Sequence, residues 1–87
     1  MKIKITEFII FPHSNNLEIN NIYVDTNDKE FLNHIKEEGL NKNDLEDLDE
    51  DEISMLAKSY LIENNQEYLS LSIYLNEEQV DKLKSLL

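Results

Sequence analysis

Apolar residues recur with two different periods along this 87-residue chain, and that mixture constrains the fold more than any other feature. Leu69, Leu71, Ile73 and Leu75 fall at every second position, with Tyr68, Ser70, Ser72 and Tyr74 between them. Successive side chains of a strand point to opposite faces, so residues 67–75 predict a strand with the leucines and Ile73 buried and the tyrosines solvated. Ile53, Leu56, Ala57, Tyr60 and Leu61 recur instead at spacings of three and four, the core-facing stripe of an α-helix. A chain this short supports one domain and buries roughly 60–65% of its unfolded surface. Strands and helices must therefore share one small core. Ile, Leu, Val and Phe supply 28 residues, enough apolar surface for a highly charged chain to fold.

The remaining elements follow the same logic. Ile3 and Ile5 alternate with Lys2 and Lys4, and Phe8-Ile9-Ile10-Phe11 continues the run, so residues 2–11 predict a first strand. Pro12 ends it, and His13-Ser14-Asn15-Asn16 is turn chemistry. Residues 17–24 predict a second strand. Its alternation breaks at Asn20-Asn21, which reads as a bulge or as a tighter hairpin turn. A helix is expected over 28–38, capped by Asn27 with Glu30 at capping-box spacing and stopped by Gly39, the one glycine. Residues 44–48 suggest a short helical turn anchored by Leu45 and Leu48. The longest helix is expected over 50–63, capped by Asp49 with Glu52, and Asn64-Asn65 turns out of it. Asn76, with Gln79, caps a last helix whose stripe is Val80, Leu83 and Leu87 or Leu86. The order β-β-α-α-β-α predicts an α+β domain without a linker: a three-stranded antiparallel sheet with helices packed on one face.

Composition removes several function classes. Without cysteine there is no disulfide framework, thiolate zinc site or cysteine nucleophile, and the cytosol is the favoured compartment. The apolar run at Phe8–Phe11 is too short for a signal-peptide core or a membrane span. A net charge of −11 opposes direct binding to nucleic acid or an anionic membrane and is compatible with a basic protein partner, a cation or simple solubility. A single glycine leaves no phosphate-binding loop. His13 beside Ser14 lacks a third group for nucleophilic catalysis, and His34 has no placeable metal partners. No catalytic signature and no cofactor motif emerge, so a non-enzymatic role is expected. Eleven asparagines, ten isoleucines and lysine without arginine point to an AT-rich coding sequence, as in a low-GC bacterium or its mobile elements.

The excess charge is concentrated. Between residues 44 and 52, Asp44, Glu46, Asp47, Asp49, Glu50, Asp51 and Glu52 are acidic and only Leu45 and Leu48 are not. Were the whole run helical, it would carry roughly one charge per 1.9 Å of axis, against ~1.7 Å for duplex DNA. Asp47, Asp49 and Asp51 match the first ligand positions of a calcium loop, but Glu52 replaces the required glycine and Lys58 the closing glutamate. The expectation is a surface that occupies a nucleic-acid-binding groove on another protein. In size and charge, though in no motif, the chain is similar to the small acidic inhibitors that phages and mobile elements use against CRISPR effectors and restriction enzymes. The alternatives are a regulatory or assembly module binding through Tyr68 and Tyr74 or a sheet edge, and an immunity protein against a basic toxin.

Overall fold

The first two strands form a long hairpin: β1 (Lys2–Phe11) pairs antiparallel with β2 (Asn16–Asp25) from Lys2↔Asp25 to Phe11↔Asn16. This computed structural model describes residues 1–64 and 70–87. Pro12, His13, Ser14 and Asn15 make the connection. Ser14 N–H donates to the Phe11 carbonyl at 3.2 Å, and Asn15 takes a left-handed φ of 54°, which asparagine tolerates better than most residues. β3 (Leu71–Leu75) pairs antiparallel with the other side of β1, from Thr6↔Leu75 to Ile10↔Leu71. The sheet order is β2-β1-β3, so the first strand is central. The element order is the one read from the sequence, and the helices between β2 and β3 cover one side of the sheet.

Neither the bulge nor the turn expected at Asn20-Asn21 exists. Thr6↔Asn21 and Glu7↔Asn20 pair in unbroken register, and Thr6 Oγ1 donates to Asn21 Oδ1 at 3.3 Å. What changes at this rung is the side on which β2 carries its apolar residues, while β1 keeps Ile9 buried on the helix side. Below it, Ile3, Ile5, Ile22 and Val24 face the helices, and Ile3, Ile5 and Val24 are buried. Above it, the β2 residues on the helix side are Asn20, Glu18 and Asn16, while Ile19 and Leu17 point to the opposite side.

The helices close over the lower part. α1 (Lys29–Glu37) is capped by Asp28, whose Oδ1 accepts from Glu30 N–H at 3.2 Å. Asn27, the expected cap, is still in the turn leaving β2, its N–H donating to Asp25 Oδ1 at 2.9 Å. Gly39 stops α1 with φ 83°. Leu40 N–H then donates to the Ile35 carbonyl and Gly39 N–H to that of Lys36, a Schellman ending that lays Leu40 against the core. A 3-10 helix (Lys42–Asp47) leads to α2 (Glu50–Asn64). Phe31, Ile35, Leu45, Ile53 and Ala57 from these elements meet Ile3, Ile5, Val24 and Tyr74 of the sheet in one cluster.

α3 (Glu77–Leu86) starts as expected, with the Asn76–Gln79 capping box formed in both directions. Its apolar stripe, however, is not buried. Leu83, Leu86 and Leu87 are exposed and no α3 residue is fully buried. The reason is position: α3 leaves the end of β3 beside the lower part of β1, where Lys4 Nζ pairs with Glu77 at 3.7 Å. It meets the sheet at its edge.

Candidate functional site

The acidic segment is held from beneath by three apolar anchors. Leu45 and Ile53 are buried, and Leu48 packs partly buried against the same cluster. Local hydrogen bonds fix the backbone between them. Asn41 Oδ1 accepts from the N–H of Asn43 and Asp44, while Asp44 Oδ2 accepts from Asn41 N–H at 2.8 Å, so one acid of the run is spent on a capping box. Asp49 Oδ1 accepts from Glu52 N–H at 2.8 Å and caps α2. Glu46, Asp47, Glu50, Asp51 and Glu52 have no such task, and all five are exposed. Among the described residues none of the seven carboxylates forms an ion pair. Lys58, about two turns along α2, donates instead to Gln79 Oε1. Burial lowers its pKa from 10.5, with the charge of Asp51 opposing that shift.

The run is not one helix. It passes from the 3-10 helix through extended backbone at Leu48 (φ −91°, ψ 145°) into the first turn of α2. With rises of ~2.0, ~3.3 and ~1.5 Å per residue in the three parts, its seven charges span about 19 Å of contour. That is roughly one per 2.7 Å, between the ~3.4 Å of a single DNA strand and the ~1.7 Å of the duplex. The density expected from a continuous helix is therefore lowered, and the acids fan over a bend.

Acids that the linear sequence did not single out enlarge the site. A cleft of about 590 Å³ runs between α2 and α3, with Glu50 and Asp51 on one wall and Glu77, Glu78 and Asp81 on the other. Lys2 and Lys4 lie on the β1 side of it. Glu50 and Asp51, and Glu77 and Glu78, lie in first helical turns, where acids are favoured by the helix dipole, and Asp81 follows in the next turn of α3. Each turn alone reads as capping chemistry, and only the fold brings them together.

The tyrosine surface does not form as expected. Tyr74 is on the helix side of β3 and is 8% exposed, a member of the core cluster. Leu71 and Ile73, expected in the core, are 62% and 49% exposed on the other side. Thr6↔Leu75 and Glu7↔Tyr74 pairing sets this phase, because it places Tyr74 on the face that Ile5 shares. Tyr68, with Glu67 and Leu69, lies outside the described residues.

His34 is the one buried histidine. Its Nδ1 lies 2.8 Å from Glu63 Oε2, tying α1 to the end of α2, and Glu37 is close enough to complete a three-ligand set. Its Nε2 is buried and has no hydrogen-bond partner among the described residues. A metal-ligating imidazole normally donates its second N–H to an acceptor, so the geometry fits a helix-to-helix hydrogen bond better than a metal centre. Among the described residues no helix is long and apolar enough to cross a membrane. No family model, curated protein or solved structure matches the chain.

Proposed function

We propose that this chain is a non-enzymatic acidic inhibitor that occupies the basic nucleic-acid-binding groove of another protein, with a CRISPR effector or restriction enzyme as the target class. The observation that carries the reading is the set of five exposed carboxylates, Glu46, Asp47, Glu50, Asp51 and Glu52, which among the described residues neither cap a helix nor form an ion pair, Asp51 acting on Lys58 only through its charge at longer range. Capping hydrogen bonds account for two of the seven acids, Asp44 and Asp49. A groove built for phosphates offers lysine and arginine at spacings this bend can meet, and steering between opposite charges makes such association fast and salt-sensitive. The acids of α3 across the cleft widen the surface on which that partner sits.

The test compares the native chain with Asp47→Asn/Asp49→Asn/Glu50→Gln/Asp51→Asn. Asparagine is itself a good N-cap, so Asp49→Asn keeps the start of α2. Displacement of labelled DNA from a purified CRISPR effector and from a restriction endonuclease is the readout. Displacement by the native chain that weakens at least about tenfold in the variant, and falls steeply with salt, supports the reading. Equal displacement by both chains, or none from either target, would remove it.

A further inference from the structure

The side of the sheet away from the helices carries an apolar block that no described residue covers. Two full rungs build it: Leu17–Ile10–Leu71 and Ile19–Phe8–Ile73, each running across β2, β1 and β3. Leu17, Ile19 and Leu71 are more than half exposed, and Ile10 and Ile73 are 37% and 49% exposed. At the next rung, Asn21–Thr6, the Thr6 hydroxyl donates to Asn21 Oδ1, so the Asn21 amide N–H groups need water and the rung marks the boundary of the block. No charged side chain lies within the block. Lys2, Lys4 and Asp25 stand at the far end of the same face.

We infer that this face binds a second copy of the same chain, sheet against sheet, to form a twofold dimer. The area fits. At about 200 Å² for a fully exposed large side chain, the block presents roughly 550 Å² of exposed surface, the upper end for a lone monomer patch. Two copies remove roughly 1,100 Å² from water, just above the ~1,000 Å² that a specific interface needs. Charge selects the same arrangement. Leu45 and Glu46 share a cleft with Met1, Thr26 and Asn27, at the end of the sheet where β1 begins, and they lie on the helix side. The apolar block is at the other end and on the other side. Sheets packed at ~10 Å with a helix layer of ~10 Å outside each keep the two acidic segments roughly 30 Å apart, beyond the ~8 Å screening length. An uncharged flat face also gives a strongly charged partner nothing to pair with, whereas it complements itself.

Light scattering with size exclusion at tens of micromolar tests this. The native chain is expected at twice its 10.3 kDa mass. Ile19→Lys/Ile73→Lys is expected to dissociate at least about tenfold more readily while its circular dichroism stays native, and Met55→Lys, exposed on α2, is expected to remain dimeric. A native chain that is monomeric overturns the inference, as does a dimer that survives the lysine pair. Should the lysine pair fail to fold, Ile73→Cys decides with a short bismaleimide, since the chain has no other cysteine. Crosslinking there and not at Met55→Cys supports the face, and the reverse overturns it. The inference does not rest on the inhibitor reading, because neither lysine position touches the acidic segment.

Discussion

The two ends of the β1–β2 hairpin have the same length, pairing and register, yet they solve opposite problems. At the end that begins with Lys2, apolar side chains point at the helices and charged ones away: Ile3, Ile5 and Val24 inward, Lys2, Lys4 and Asp25 outward. At the turn end, Asn16, Glu18 and Asn20 of β2 point toward the helix side and Leu17 and Ile19 away from it, while Ile9 of β1 stays buried on the helix side. A one-residue shift of register would move every β2 side chain to the opposite face. The sequence achieves the same inversion without a shift, by placing two asparagines in succession. A hairpin can thus carry two apolar surfaces on opposite sides, one filled by its own helices and one left for another occupant.

The sharpest way to break this comparison is to make the same truncation at both ends. Ile5→Ala removes a fully buried side chain and should cost about 2–5 kcal/mol in urea denaturation, a large share of the ~5–15 kcal/mol of a typical domain. Ile19→Ala at low protein concentration should change the same midpoint by less than ~0.5 kcal/mol. Equal costs at the two ends would show that the turn end is covered in the monomer. Tyr74→Ala extends the comparison to β3 and should cost about 3 kcal/mol, as expected of a core aromatic, while Leu71→Ala should cost little. A smaller effect is expected at Gly39→Ala. Nothing lies within 4 Å of the added methyl, so the cost is conformational only and should be about 1 kcal/mol.

The smallest effect concerns pH. Burial, then the hydrogen bond from Tyr60 to Glu30 Oε2 at 3.2 Å, then the charges of Glu30 and Asp28, raise the phenol above its ordinary 10.0. The unfolded chain therefore loses this proton first as pH rises. The stabilisation is complete below pH 10 and declines above it, and Tyr60→Phe should make the stability profile flatter in that range. A profile unchanged by the substitution would show that Tyr60 is not held against α1.

Elements and their ends were legible because they depend on local chemistry. Asn76 with Gln79, Asp49 with Glu52, and Gly39 before Leu40 act through bonds spanning a few residues, and all three stand where the sequence places them. The slip from Asp28 to Asn27 has the same origin, since two adjacent good caps compete and the turn contact to Asp25 takes one of them. What alternation cannot give is which side of a strand is covered. In β3 the pattern Leu-Ser-Ile-Tyr-Leu separates two faces correctly, but only pairing with β1 decides that Tyr74 goes inward. Asn20-Asn21 carried the clearest signal of the apolar block, read as an irregular backbone when it was a change of side. The acidic run was legible in full, its bend at Leu48 was not, and the acids of α3 could join it only through the tertiary structure.

The central position of β1 has a consequence for how the chain comes together. Its first neighbour follows within a four-residue turn, but its second arrives only after residue 70, once α1, the 3-10 helix and α2 have been made. Pairing across that separation carries the largest loop-closure cost in the molecule, so it belongs to the late, rate-limiting part of folding. During synthesis β1 keeps a bare edge from the time it emerges until β3 follows, beside an apolar face already exposed. This is the interval in which the protein is most open to wrong pairing, and a chain cut before Leu71 would remain in it.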